Sequence, residues 1–238
     1  MNRSQYSQLL KLAKGCLAEY LAFGEEEIIL PATAVKTVKA AAPGGKLPTL
    51  EEYKKQISGC RKCPLGKSRL NFVFGVGNPK ARLMFVGEGP GFDEDHKGEP
   101  FVGRAGQLLT KIIESIGLKR EDVFIANVVK CHPMIDPSDP EKRANDRPPT
   151  PEEAAECIGY LEKQIDIIKP EFICALGSSA AKALLATEIT ISKLRGRYYD
   201  YRGAKLLPTF HPAALLRNPV YKKDVWEDMK MLKRSMGI

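Results

Sequence analysis

The sequence predicts an α/β fold: a three-layer sandwich in which helices flank a mostly parallel central sheet, with an N-terminal helical extension ahead of it. Two observations predict this. From Thr49 onward, apolar runs of strand length alternate with helical stretches, the pattern of parallel strands joined by crossover helices. Hydrophobic residues make up 43% of the 238, enough to cover both faces of such a sheet.

Taken in order, residues 4–23 read as an amphipathic helix with Leu9, Leu10, Ala13, Leu17, Tyr20 and Leu21 on one side. Leu30 to Pro48 is small, basic and punctuated by proline and glycine, which is linker composition. Residues 1–46 are therefore expected to be an accessory helix and linker, and residues 47–238 the working domain. A helix over 50–57 leads into Cys-Arg-Lys-Cys at 60–63. Strands are expected at 82–87, 123–130 and 171–177. The helices that follow them are expected at 105–116, at 151–168, where Pro151 suits a first helical position, and at 178–186. A hairpin over 197–210 and helices at 213–216 and 221–236 close the chain. In such sheets ligands gather at the carboxyl ends of the strands, here Gly-Glu-Gly-Pro-Gly at 87–91, Asn127 to Pro133, Gly-Ser-Ser at 177–179 and Thr209 to Ala213.

Lys plus Arg total 37 against 29 Asp plus Glu, a net charge of +8, which favours a polyanionic partner. No apolar run approaches the roughly 20 residues that span a bilayer, and the charged N-terminus lacks the uninterrupted apolar stretch of a signal peptide. A cytoplasmic, membrane-free protein is expected, with cysteines kept as thiols or metal ligands.

Cys60 and Cys63 form a C-x2-C, Cys131 follows after 67 residues and Cys157 after a further 25. Two thiolates at that spacing chelate one centre, and two more from distant loops complete a four-sulfur site suited to zinc or an iron–sulfur cluster. Cys174 and Cys16, in apolar settings, read as packing residues. The segment Val86 to Gly106 holds six glycines, two prolines and five acidic residues. Its carboxylates repel phosphate and Pro90 lacks an amide donor, so a dinucleotide cradle is excluded. Glycines there let a flat ligand lie on bare backbone, with the loop's carboxylates placed to handle water or a developing cation. Asn127 is an amide inside an apolar strand, costly unless paired, and His211 stands just past a strand end.

Taken together, Gly-Glu-Gly-Pro-Gly at 87–91 with Glu94-Asp95, 98–109, Asn127 to Cys131, 147–157 and 209–219 resemble the family-four uracil-DNA glycosylases, the iron–sulfur branch of that superfamily. The resemblance runs from about Leu50 to the C-terminus. It implies that Cys60, Cys63, Cys131 and Cys157 ligate a structural [4Fe–4S] cluster. It implies also that Phe101 stacks on uracil, Asn127 reads the base's Watson–Crick edge and His211 donates to its carbonyl, with Gly89 among the substrate contacts.

The partner is then uracil-containing DNA, single- or double-stranded, met by a monomer that flips the base from the stack at a cost of a few kcal/mol. His211 stabilises the departing uracil anion, and Glu94, ahead of Glu88 and Asp95, positions water or stabilises the sugar cation. Arg217 and the basic residues Lys142, Arg143 and Arg147 of the long 134–150 segment are expected to contact DNA. That segment holds no histidine, which argues against covalent capture of the abasic sugar. The rival readings are a non-catalytic DNA-binding module with the same fold and an electron carrier.

Overall fold

A computed structural model describes residues 47–238. The helix expected over 4–23 and the linker up to residue 46 lie outside the described residues. Within them the chain forms helices α1 (Leu50–Ile57), α2 (Leu65–Ser68), α3 (Phe92–Lys97), α4 (Arg104–Ser115), α5 (Pro151–Ile168), α6 (Ser178–Leu185), α7 (Ile191–Leu194), α8 (Pro212–Arg217) and α9 (Tyr221–Met236). The strands are β1 (Val76–Gly77), β2 (Leu83–Gly87), β3 (Phe124–Asn127), β4 (Phe172–Leu176), β5 (Tyr199–Tyr201) and β6 (Ala204–Thr209).

They build one six-stranded sheet in the order β1-β3-β2-β4-β6-β5. The four inner strands are parallel, and β1 and β5 pair antiparallel at the edges. Successive β2 residues divide between two cores because side chains alternate across a strand. Met84 and Val86 join Tyr53, Leu161 and Leu184 from α1, α5 and α6. Leu83 and Phe85 join Leu109, Ile113 and Leu232 from α4 and α9 on the opposite face. That is the expected three-layer sandwich. Cys174 lies in the second core, where burial holds its thiol far above the ordinary range.

Several boundaries follow from local chemistry. Helix α5 starts where expected because Thr150 accepts from Glu153 N–H while Glu153 accepts from Thr150 N–H, and Pro151 opens the first turn. The β5–β6 hairpin turns through Arg202 (φ 49°) and Gly203 (φ 84°), the two left-handed residues that match strand twist. Strand β3 stops at Asn127 instead of running to Lys130. Its partner β2 has ended by then, and Val128 and Val129 donate to the carbonyls of Gly87 and Glu88 at 2.9 and 3.0 Å as the chain turns off the sheet.

The segment read as a continuous acidic loop contains a helix, α3. Asp93, Glu94 and Asp95 occupy its first turn, which suits the positive end of the helix dipole, and Gly98 closes it at φ 72°. Among the described residues no helix is long and apolar enough to cross a membrane.

Candidate functional site

The carboxyl ends of β2, β3, β4 and β6 open into a cavity of about 680 Å³. Glu88, Phe101, Asn127 and His211 line it, with Glu94 and Arg217. Phe101, Asn127 and His211 are each held by a different device.

Phe101 adopts φ 56°, a left-handed conformation that a bulky side chain takes only where its surroundings impose it. The imposition is visible. A Cβ on Gly106 would lie 1.9 Å from the Phe101 carbonyl, so only glycine lets α4 come this close. Glu94 Oε1 accepts from the N–H groups of Val102 and Gly103 at 2.9 and 3.0 Å, immediately after the ring. The ring stands 5.5 Å from that of His211, at 31°, and a Cβ on Gly87 would meet Phe101 Cζ at 2.5 Å. The missing side chain at Gly87 therefore makes room for the Phe101 ring and the Asn127 amide.

Asn127 ends β3 with its side chain buried and its Oδ1 without a hydrogen-bond partner. Nearby, Lys130 Nζ donates to the Asn127 carbonyl (2.8 Å) and to Gln164 Oε1 (2.6 Å), and Gln164 donates to the Phe74 carbonyl. The backbone is tied down while the amide acceptor is left open. A buried acceptor in that state is costly unless something binds it.

His211 caps α8: its Nδ1 accepts from Ala213 N–H at 3.1 Å. A backbone amide can only donate, so Nδ1 carries the lone pair and the neutral ring presents Nε2–H as a donor. Burial, and then the nearby Arg217 charge, push its pKa down from 6.5 to about 4. The ring is thus a neutral donor at physiological pH. Behind it, Thr209 Oγ1 donates to Asp228 at 2.6 Å, and Arg195 grips the same carboxylate at 2.7 and 3.0 Å. Removing Asp228 leaves the largely buried Arg195 guanidinium with Asp224 alone, and leaves the buried Thr209 hydroxyl without its acceptor. Asp228→Ala is expected to cost about 3 kcal/mol or more of stability, read as a fall in the denaturant midpoint with the slope unchanged. A loss within about 0.5 kcal/mol would show the network to be dispensable.

The carboxylates sort differently from the sequence expectation. Glu94 lines the cavity, yet its oxygens accept from three backbone N–H groups, those of Val102 and Gly103 and, at 3.2 Å, Gly91. It is the clamp of the pocket loop. Asp95 is fully buried and accepts from Leu70 and Asn71 N–H, so it anchors a neighbouring loop and is no rival for water. Glu88 lines the cavity with no side-chain partner among the described residues.

Sequence reasoning missed His132 and Asp146. Asp146 lines the cavity, and its Oδ1 takes hydrogen bonds from His132 Nε2 (2.6 Å) and Phe92 N–H (3.1 Å). His132 Nδ1 lies 3.6 Å from Asp95. Burial alone would depress the His132 pKa, but the hydrogen bond to Asp146 and the nearby Asp95 carboxylate outweigh it and raise the value to about 9. The only local signal was the position of His132 next to Cys131 at a strand end.

The basic residues of the 134–150 segment are mostly committed within the protein. Arg147 pairs with both oxygens of Glu153 at 2.8 Å and donates to the Met134 carbonyl. Arg143 lies over the Phe92 ring, 4.7 Å from its centre, and pairs with Asp93 at 3.8 Å. His96 and Glu141 meet at 3.0 Å. The segment is docked on α3, which leaves Lys142 and most of the Arg143 side chain exposed.

The four cysteines come from three places: Cys60 and Cys63 between α1 and α2, Cys131 after β3 and Cys157 on α5. All are free thiols. Burial chiefly raises the pKa of Cys131, to about 11, with Arg69 opposing and Cys157 and Cys63 adding. Cys157 is likewise raised by burial and by Cys63 and Cys60. The thiols therefore share one neighbourhood, although among the described residues no three such side chains converge as a single-ion site. Gly66 makes room there: a Cβ would lie 2.9 Å from the Cys60 carbonyl.

Fold and cavity together define a class: a parallel-sheet α/β protein whose strand ends enclose a cavity lined by a phenyl ring, an unpaired amide oxygen and a neutral imidazole. The family model for the uracil DNA glycosylase superfamily matches residues 74–230. A type-4 uracil-DNA glycosylase of Archaeoglobus fulgidus is 43% identical over 197 residues, covering 79% of this chain and 94% of that protein. One from Thermotoga maritima is 45% identical over 188 residues, 77% and 93% of the two chains. A type-5 uracil-DNA glycosylase of Pyrobaculum aerophilum is 29% identical over 156 residues. The chain belongs to the uracil DNA glycosylase superfamily, in its type-4 branch.

Proposed function

We propose that this protein hydrolyses the N-glycosidic bond of uracil in DNA, releasing the base and leaving an abasic site. Family membership supports the reaction, and the single observation that carries the pocket reading is the buried, unpartnered Oδ1 of Asn127, a residue that lines the cavity with Phe101 and His211. A uracil extruded from the stack offers N3–H to Asn127 Oδ1 and O4 to its amide nitrogen, whereas cytosine offers the reverse pattern. Stacking on Phe101 returns roughly 1–3 kcal/mol toward the cost of flipping.

As the bond breaks, negative charge grows on the base, and His211 Nε2–H meets it as a preorganised neutral donor. The other fragment is a cationic sugar that water must attack. The Glu88 carboxylate has no partner among the described residues, and Asp146 holds His132 and Phe92 N–H on Oδ1 while its Oδ2 is unengaged. Both fit water positioning better than Glu94, both of whose oxygens accept from backbone N–H groups. Arg217 and Lys142 remain free to meet phosphates. One chain carries every group invoked, so a monomer suffices.

We further infer that Cys60, Cys63, Cys131 and Cys157 hold a [4Fe–4S] cluster. The residues fit it: four thiols drawn together from distant segments, with hydrogen-bond donors aimed at their sulfurs. Bound there, the cluster would cross-link the loop before α2, the turn after β3 and α5.

The test is direct. Purified, iron-loaded protein is incubated with a labelled oligonucleotide carrying one uracil, then treated with alkali. Strand breaks at the uracil, with free uracil released in equal amount, are expected. A folded, iron-loaded protein that binds the oligonucleotide without generating breaks would replace this reading with a non-catalytic DNA-binding module.

A further inference from the structure

We propose that Arg69 and Tyr160 tune the electronic state of the cluster through hydrogen bonds to two of its cysteine sulfurs, an inference that rests on the cluster reading above. Arg69 follows α2, and its guanidinium is fixed on three sides. Nη1 donates to Cys131 Sγ at 3.0 Å, Nη2 donates to the Ser58 carbonyl at 2.6 Å, and the Phe72 ring lies beneath it with its centre 4.8 Å away. Ser58 caps α1 two residues before Cys60. One planar fork therefore joins the loop carrying the C-x2-C pair to the cysteine that follows β3.

Tyr160 reaches the cluster from the other side. It stands three residues after Cys157 on α5, hence on the same helix face. Its hydroxyl donates to Cys60 Sγ at 3.1 Å, and Lys62 Nζ sits 4.9 Å from the centre of its ring. Side-chain donors thus reach two of the four sulfurs.

Sulfur becomes a better acceptor as a cluster gains electron density. Donors to ligating sulfurs, and positive charge beside them, therefore stabilise the reduced form and raise the reduction potential. Arg69 brings both effects, Tyr160 only the hydrogen bond. A residue that merely staples the loops would leave the potential where it was.

The experiment compares the parent with Tyr160→Phe, Arg69→Lys and Arg69→Met, measuring iron per chain and the one-electron reduction potential by spectroelectrochemistry. Tyr160→Phe keeps the ring under Lys62 and removes only the donor. Every variant is expected to retain its iron with the potential lowered, most in Arg69→Met, which loses charge and donor, and less in Arg69→Lys. Iron-loaded variants with the parent's potential overturn the proposal and leave the cluster reading intact. If Arg69→Met sheds its iron, Tyr160→Phe decides by the same criterion. A parent protein that binds no iron under anaerobic purification overturns the cluster reading and this proposal together.

Discussion

Replacing His211 by alanine is expected to slow single-turnover excision of uracil by about 10²–10³, the usual cost of removing one preorganised donor to a developing anion. The interaction strengthens as charge moves onto the base, so the loss falls on the chemical step and DNA affinity stays near that of the parent. His211 also caps α8 through Nδ1, and losing a cap costs about 1 kcal/mol by itself. His211→Ser separates the two roles, since its hydroxyl restores an acceptor for Ala213 N–H but is too short to reach the base. Both variants should be equally slow, with the serine protein the more stable. A His211→Ser protein that excises within a few-fold of the parent would demote the ring to a capping residue.

The same geometry sets a pH dependence. With its pKa lowered from 6.5 to about 4, His211 stays neutral across the physiological range, so the excision rate should show no step near pH 6.5. Because the folded value lies below that of the free side chain, the unfolded chain binds the proton first. The group's contribution to stability is complete above pH 6.5 and is lost as the pH falls through 4. A ring titration followed by nuclear magnetic resonance, giving a midpoint near 6.5, would refute the burial argument.

Cys63→Ala carries the second large effect, on folding ahead of chemistry. In sites that assemble only in the folded chain, metal-binding energy is folding energy, on the order of 10 kcal/mol for four-ligand structural zinc. Loss of one ligand should therefore bring colourless protein, low soluble yield and a sharply lower melting temperature. Cys174→Ala, altering a thiol inside the second core, should keep its iron and lose only the few kcal/mol of a small cavity. A Cys63→Ala protein with full iron content and an unchanged melting temperature would exclude Cys63 as a ligand.

Much of the architecture was legible because its signals are local. A capping box and Pro151 set the start of α5 within four residues. The alternation of strand and helix fixed the layer arrangement, the strand ends named Glu88, Asn127 and His211, and the family resemblance named Phe101; all four line the cavity. The helical nature of residues 92–97 was also written locally, in acids followed by His96, Lys97 and Gly98, but glycine and proline on either side masked it.

What the sequence determined by itself is the sheet, the cysteine spacing and the residue types that meet at the strand ends. What only the tertiary structure decided is which of those groups remain free. Glu94 is consumed by the N–H groups of Val102 and Gly103, while Asp146 arrives 54 residues after Phe92 to share its amide. Arg69 finds Cys131 62 residues away. His211 owes its tautomer to a helix end and its low pKa to burial. Propensity and spacing act over one or two turns of chain, whereas a hydrogen bond is settled by whichever partner the folded path brings within about 3 Å. A carboxylate's job depends on that partner, and the partner is a property of the fold.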